Sequence, residues 1–252
     1  MIRLDKYLSD SGLFTRREAS RLIRAGAVTV DGSPCRDPAQ KIDEDAADVT
    51  ANGRPVGYAR VRWFMLNKPA DTVSTTDGDP KSVMNLFPPE LRRIGLFPCG
   101  RLDIDTTGLL LITNDGPTAH DLLSPKKHCE KEYRFTCLPL ADEQVRQLEE
   151  GIALSDFTSE PCRVTLDDPA HDREHGRIAV TEGKYHQIKR MFLAVGSEIL
   201  ALERTVFAGI PLDPDLAPGE WRALTPAEIE ILSQNHIPDT GDSHGHIETT
   251  QR

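Results

Sequence analysis

Two aspartates in one short loop are the first candidates for chemistry. Residues 100–116 read GRLDIDTTGLLLITNDG, and Asp103 and Asp105 stand directly before an apolar run with the length of a buried strand. A carboxylate placed just before an anchored strand is preorganised, as a reactive group should be. The same residue type also bonds loop amides in Asx turns, so spacing alone leaves a chemical and a structural interpretation open.

Two cations lie on a predicted helix near residue 190. Apolar residues recur there at the spacing of one helical face, at Ile188, Met191, Phe192 and Val195. At about 100° per residue, Lys189 lies beside this apolar stripe and can reach inward, whereas Arg190 lies nearly opposite it and should face outward. From the pattern alone, a solvated face is the preferred interpretation for both cations.

A tyrosine and a histidine are weaker candidates. Tyr133 lies among charged neighbours in a predicted strand, where a tyrosine most often packs half-buried. His186 could act as a base in isolation, but no neighbour in the sequence orients it as a catalytic triad would.

The elements that must position these groups are short strands and helices. Residues 61–66 form a predicted strand, which Pro69 prevents from pairing further. Residues 109–112 form the central strand, and Asn114-Asp115-Gly116 has the composition of a tight turn. The other predicted strands are 130–137, 162–166, 178–181 and 198–207, with a polar hairpin loop at 167–176, and further helices are 117–123, 141–150 and one that begins at Thr225-Pro226.

The first 36 residues carry a charge opposite to that of the whole chain. Seven Lys+Arg against four Asp+Glu give +3 here, whereas thirty Lys+Arg against forty Asp+Glu give the chain a net charge of -10. Thr15 and Glu18 fit a capping box at the start of a short helix. Arg17, Arg21 and Arg24 follow along one stripe of this helix. The stripe indicates either an RNA-binding face or a solvated one.

Composition excludes several classes of protein. With 252 residues, 38% of them hydrophobic, the chain can form one large domain or a small and a medium one. No apolar run reaches the roughly eighteen residues of a membrane span, and the N-terminus lacks the apolar segment of a signal peptide. The five cysteines have no paired spacing and are expected to be reduced thiols of a cytoplasmic protein.

Several motifs, in order along residues 1–232, resemble those of the pseudouridine synthases, in particular the group that acts on small-subunit ribosomal RNA. They are FMLNKP, GRLDIDTTGLLLITNDG, HCEKEY, GKYHQIKRM and APGEWR. The first 36 residues resemble the αL RNA-binding motif found at the front of many RNA-modifying enzymes. Sister enzymes that act on large-subunit RNA usually have Asn-Arg in place of Tyr185-His186, so GKYHQIKRM favours the small-subunit group.

The resemblance implies an α+β fold in two parts. A small N-terminal αL RNA-binding module with its linker would occupy residues 1–60. A larger catalytic domain at residues 61–232 would contain a mixed, mainly antiparallel β-sheet flanked by helices. Residues 233–252 are polar and aperiodic, which predicts a disordered tail whose histidines bind metal only adventitiously.

The resemblance also implies which residues act. Asp103 is the expected catalytic aspartate, Lys189 the cation that pairs with it, and Tyr133 the ring that lies against the target base. Many relatives have arginine at the position of Lys189, and lysine lacks the bidentate fork of arginine. Asp105 is left as a loop-bonding residue. The expected RNA contacts are Arg17, Arg21, Arg24, Arg101, Lys184, His186 and Arg190.

The implied reaction converts a uridine to pseudouridine, breaking the N1–C1′ bond and rejoining the base through C5. It involves no redox change, phosphate transfer or net hydrolysis, so no cofactor and no metal are expected. The partner would be ribosomal RNA or an assembling small subunit, and the enzyme a monomer with no membrane association. The alternatives are a sister synthase acting on large-subunit RNA and a non-catalytic ribosome-assembly factor. A phosphotransferase or hydrolase would need a set of metal-binding carboxylates that the sequence does not supply.

Overall fold

The computed structural model describes residues 1–58, 61–76 and 78–235. Its N-terminal part begins with β1 (Ile2–Arg3), α1 (Leu4–Asp10) and α2 (Arg16–Arg24). The predicted capping box is confirmed, because the Thr15 hydroxyl accepts a hydrogen bond from the Glu18 amide and the Glu18 carboxylate accepts one from the Thr15 amide. This cap fixes where α2 begins.

Five short strands complete the N-terminal part. They are β2 (Val28–Val30), β3 (Ser33–Cys35), β4 (Lys41–Ile42), β5 (Val49–Ala51) and β6 (Arg54–Pro55). Four of them form an antiparallel sheet in the order β3-β2-β5-β6, and β4 pairs with β1. Apolar residues of α1, α2 and this sheet share one buried core, including Leu4, Leu8, Ile23, Val28 and Val49.

A second sheet of nine strands lies within the described part of residues 63–223. Its strands are β7 (Trp63–Lys68), β8 (Phe97–Pro98), β9 (Thr107–Thr113), β10 (Lys131–Cys137), β11 (Arg163–Asp168), β12 (Asp172–Val180), β13 (Ile199–Phe207), β14 (Ile210–Pro211) and β15 (Trp221–Ala223). The main order is β11-β12-β10-β13-β9-β7-β15. The β9–β13 pair is parallel and its neighbours in this order are antiparallel, so the predicted mixed, mainly antiparallel sheet is confirmed.

Helices flank this sheet. They are α3 (Pro89–Arg92), α4 (Gly116–Leu123), α5 (Asp142–Glu150), α6 (Gln187–Ala194) and α7 (Pro226–Asn235). Within the described ranges, no helix is long and apolar enough to cross a membrane. The tail predicted at 233–252 begins inside α7, and residues 236–252 lie outside the described residues.

The central strands are buried on both faces. Leu109 and Leu111 of β9 pack with residues of α4 and α7, whereas Leu110 and Ile112 pack in a second core on the other face. Because alternate residues of a strand point to opposite faces, a strand covered on both sides needs a continuous apolar run. This arrangement explains the sequence pattern that predicted a buried strand.

One local prediction is wrong. Most of the polar hairpin loop predicted at 167–176 is regular strand, since β11 runs to Asp168 and β12 starts at Asp172. The side chains at this end of the hairpin are mostly exposed or half-buried, so its polar composition is compatible with a strand. Asn114-Asp115-Gly116 joins β9 directly to α4, and Asp115 caps that helix by accepting a hydrogen bond from the Thr118 amide.

Candidate active site

The loop that carries both aspartates is anchored, through its backbone, to residues 71–74. The Ser74 hydroxyl accepts a hydrogen bond from the Leu102 amide and donates one to the Leu102 carbonyl, both at 3.1 Å. The Asp71 amide donates to the Ile104 carbonyl at 2.8 Å. These bonds fix the backbone on either side of Asp103, so the position of its carboxylate is set before any substrate arrives.

A buried lysine completes this support. Lys68, at the end of β7, is fully buried and its Nζ donates to the carbonyls of Pro69, Ile104 and Thr106 at 3.1, 3.3 and 2.8 Å. An ammonium group has three N–H donors, and here all three have an acceptor. Burial lowers the pKa of Lys68 to about 8. The loop is therefore built around a buried cation.

Gly108 allows the loop to join the sheet. It has φ +92, and a Cβ placed on it would lie 2.3 Å from the carbonyl oxygen of Arg204. Gly108 pairs with Arg204 where β9 and β13 run parallel. A side chain at this position would force the two strands apart, so the close approach requires glycine.

Helix α6 delivers the cation that faces the loop. Lys189 Nζ lies 3.0 Å from Asp103 Oδ2 and 2.5 Å from Asp105 Oδ1. The hydrogen bond from Lys189 lowers the pKa of Asp105. Burial acts to lower the pKa of Lys189, but its hydrogen bonds to Asp105 and Asp103 outweigh burial and the net pKa is raised. The prediction that Lys189 reaches inward is confirmed, whereas Asp105, expected only to bond its own loop, shares this lysine.

His186 contacts the other side of the first aspartate. Its Nε2 lies 3.5 Å from Asp103 Oδ1, whereas the closest approach of Lys189 is to Oδ2. Asp103 is thus flanked by one cation and one imidazole ring. The sequence offered no neighbour to orient His186, because the partner lies more than eighty positions away in the chain.

An open cleft collects most of the predicted site residues. Its lining includes Arg101, Asp103, Tyr133, Lys184, His186 and Lys189. Tyr133, on β10, is half-buried and packs against two of the hydrophobic cores. Asp105 is not among the lining residues, and its side chain is 67% exposed against 27% for Asp103. Of the two carboxylates, only Asp103 faces the cleft.

Arg190 lies elsewhere. Its guanidinium forms an ion pair with Asp156 and lies 5.2 Å from the centre of the Phe157 ring. Lys184 approaches the same ring at 5.9 Å. Arg190 faces away from the hydrophobic core, as expected, but the segment around Phe157 partly covers it and leaves its side chain 25% exposed. Helical periodicity cannot show such a cover, since the segment comes from a distant part of the chain.

The arginines of α2 form a separate basic surface. Arg17, Arg21 and Arg24 are exposed and, with Arg16 and Ser20, border a shallow depression. The predicted alignment of the three arginines along one face is confirmed. Their long, flexible cationic side chains are suited to contacting phosphates along a backbone.

Sequence reasoning missed Lys68 and Ser74 as parts of the site. A lysine at the end of an otherwise apolar strand, directly before a proline, was a usable signal, because a fully buried lysine needs partners. Ser74 gave no such signal in the sequence, because its role depends on its hydrogen bonds to Leu102, which is distant in the chain. Among the described residues, no group of three or more His, Cys, Asp and Glu side chains could hold a metal ion.

Comparison with known proteins agrees with the geometry. Residues 62–194 match the RNA pseudouridylate synthase family and residues 2–47 match the S4 domain. The chain is 42% identical over 233 residues to ribosomal small subunit pseudouridine synthase A of Escherichia coli, covering 90% of this chain and 98% of that protein. It is 41% identical over 236 residues to an uncharacterized RNA pseudouridine synthase of Bacillus subtilis, covering 92% of this chain and 99% of that protein.

A solved structure extends the agreement to the fold. A crystal structure of a pseudouridylate synthase superposes with a TM-score of 0.64 at 34% identity, covering 92% of this chain and all of that one. The S4 match falls on the segment that resembled the αL motif, and the synthase match includes the aspartate loop and α6. The chain belongs to the RNA pseudouridylate synthase family, and it is an enzyme that isomerises uridine in RNA.

Proposed function

We propose that this enzyme converts a specific uridine of small-subunit ribosomal RNA to pseudouridine. The observation that carries the proposal is the placement of Asp103, a cleft-facing carboxylate held between Lys189 and His186. The relatives called ribosomal small subunit pseudouridine synthase A, at about 40% identity over most of the chain, support the choice of RNA. The reaction is an isomerisation in which the N1–C1′ bond breaks and a C5–C1′ bond forms.

Asp103 is proposed as the catalytic carboxylate. It acts as nucleophile at C1′ or as a base at another stage of the reaction. The Lys189 ammonium, 3.0 Å from Oδ2, forms an ion pair with Asp103 that holds this oxygen in place. Only 27% of the Asp103 side chain is exposed, so the pair is partly shielded from water.

Tyr133 is proposed to lie against the target base. Its ring forms part of the cleft that contains Asp103, and its packing against two cores limits its movement. A flat ring with a hydroxyl can stack on a uracil and also take part in proton transfer. For the base to reach this cleft, the nucleotide must leave the RNA stack.

RNA binding is proposed to be divided between two surfaces. The arginines of α2, Arg17, Arg21 and Arg24, hold the RNA through phosphates. Arg101, Lys184 and His186 contact the RNA at the cleft. Arg190 is a weaker candidate than the sequence suggested, since Asp156 already neutralises it.

The division of the chain follows from this proposal. Residues 1–60 act as the RNA-binding module with its linker, residues 61–232 as the catalytic domain, and the remainder as a tail. We further propose that the enzyme works as a cytoplasmic monomer in ribosome biogenesis. Its substrate is ribosomal RNA, either free or in an assembling small subunit.

Mapping pseudouridine after reaction tests the proposal. Purified wild-type enzyme is incubated separately with transcribed small-subunit and large-subunit RNA, and every new pseudouridine is located. We expect one site, or very few, in the small-subunit RNA and none with the Asp103→Asn variant. If only large-subunit RNA is modified, the proposed substrate is wrong and the protein has the substrate of a sister enzyme. Ribosomal RNA from cells with and without the protein, mapped in the same way, shows whether the site is used in vivo.

A further inference from the structure

Tyr185 is the only largely exposed aromatic side chain among the residues that the structure describes. It is 71% exposed, whereas the other aromatic side chains in these ranges are buried or half-buried. A large ring gains free energy when it leaves water, so an exposed ring beside a catalytic cleft suggests a ligand that covers it.

The ring of Tyr185 lies flat on the ring of His186. The two centroids are 3.8 Å apart and the planes differ by 17°. The edge of the His186 ring contacts Asp103 at 3.5 Å. The two rings therefore form a stack that begins at the cleft carboxylate and ends with an open tyrosine face in solvent.

The backbone is shaped for this stack. Neighbouring side chains point to opposite sides of a strand and about 100° apart on a helix, so adjacent rings do not normally stack. His186 has φ 48 and ψ 33, in the left-handed region, immediately before α6. Histidine is among the residues that enter this region more often than most, but the conformation remains uncommon. Uncommon backbone geometry is frequent at functional sites.

We infer that the exposed face of Tyr185 is a stacking site for the base of a nucleotide next to the target uridine. The inference rests on the proposed function and identifies a second base-binding position in that site. The target base occupies the cleft beside Asp103, and the flanking nucleotide then lies at the lip, where the Tyr185 face is open. Stacking on an aromatic ring is a common way to bind an unpaired base and tolerates all four bases.

The surrounding charge favours a nucleic acid over a protein partner. Arg101 and Lys184 are exposed at the same cleft. Of the nearby acidic groups, Asp103 and Asp105 are paired with Lys189, and Glu182 accepts hydrogen bonds from the Glu160 amide and the Gln187 side chain. A flanking nucleotide brings both a base for the ring and phosphates for these cations. His186 supports the ring from behind and acts as a positioning residue for it.

A fluorescent base measures this contact directly. The full chain is titrated with a single-stranded oligoribonucleotide that contains one 2-aminopurine, whose fluorescence is quenched when it stacks. We expect quenching by the wild type and by Tyr185→Phe, and loss of most of that quenching in Tyr185→Ala, with an affinity about five- to a hundredfold weaker. Leu193→Ala is the matched control, because Leu193 is 68% exposed on α6 and, unlike Tyr185, is not adjacent in sequence to a residue that lines the cleft. Equal quenching by Tyr185→Ala and wild type would overturn the inference.

A second arm uses the RNA fragment that the wild type modifies. One base beside the target uridine is removed, on the 5′ side in one fragment and on the 3′ side in another. For one of these two fragments, binding to the wild type should be about tenfold weaker than for the intact fragment. Tyr185→Ala should bind that fragment and the intact fragment equally well. An equal loss in both proteins contradicts the inference. If the wild type modifies no site in small-subunit RNA, the proposed function fails, while the fluorescence arm still decides whether Tyr185 stacks on bases.

Discussion

Lys189 lies closer to Asp105 than to Asp103, with Nζ 2.5 Å from Asp105 Oδ1 and 3.0 Å from Asp103 Oδ2. The side chain of Asp105 is also the more exposed of the two, at 67% against 27% for Asp103. Solvent screens the exposed pair more strongly, so distance alone does not rank the two interactions. Lys189 therefore has two roles. Its ion pair with Asp105 stabilises the loop, and its ion pair with Asp103 holds the carboxylate that faces the cleft.

This division of roles predicts different effects of neutralising each aspartate. Asp103→Asn keeps the shape of the side chain but removes its charge and most of its nucleophilicity, and should lower the single-turnover rate by on the order of 10³-fold or more. Asp105→Asn leaves the Lys189–Asp103 pair in place and should lower the rate about tenfold or less. Both variants should bind RNA nearly as well as the wild type. A dead Asp105→Asn beside an active Asp103→Asn, on the same folded RNA, would reverse the assignment.

Local sequence patterns predicted the secondary-structure elements of this site. The apolar run after the loop and the apolar stripe of α6 predicted both elements, and the family motifs predicted that Asp103 and Lys189 meet. Contacts between distant segments were not visible in this way. The Phe157 segment that covers Arg190 and the distant partner of His186 have no periodicity to reveal them. Tertiary packing decides such contacts, and local patterns do not encode it.

Adding a methyl group at Gly108 should disrupt the join between loop and sheet. The new Cβ would meet the Arg204 carbonyl at 2.3 Å, and φ +92 is unfavourable for alanine. We expect Gly108→Ala to lower the free energy of unfolding by about 3 kcal/mol or more, measured by denaturant titration, and to reduce activity. Gly116→Ala is the control, since a Cβ there meets nothing within 4 Å. Equal stability of the two variants would contradict the close-approach argument.

The lowered pKa of Lys68 predicts that this residue contributes a pH-dependent amount to the free energy of unfolding. Its pKa in the folded protein is about 8, below the ordinary value of 10.5, because burial disfavours the charge. Between these two values the unfolded chain binds more protons than the folded one, so the contribution of Lys68 to the free energy of unfolding rises with pH. Below about pH 8 both states are protonated and this gain is absent.

The comparison with Lys68→Met isolates this effect, because the two proteins share every other titrating group. The variant leaves three loop carbonyls without their donor and should be less stable at pH 7 by about 1 to 3 kcal/mol. That difference should grow by roughly 2 kcal/mol between pH 7 and pH 10. Denaturant unfolding at a series of pH values provides the measurement. A difference that stays constant over this range would mean that Lys68 does not titrate near pH 8.

The arginine stripe of α2 predicts a change in the salt dependence of RNA binding. Each arginine that meets a phosphate releases condensed counterions, so replacing Arg17, Arg21 and Arg24 by glutamine should reduce the slope of log affinity against log salt by up to about 3. Affinity should fall similarly for different RNA sequences, because phosphate contacts carry no base information. The control replaces three exposed arginines of the larger sheet and α5, Arg134, Arg146 and Arg163, and should leave the slope nearly unchanged. An unchanged slope in the α2 variant, or an equal loss in the control, would show that RNA binds through another face.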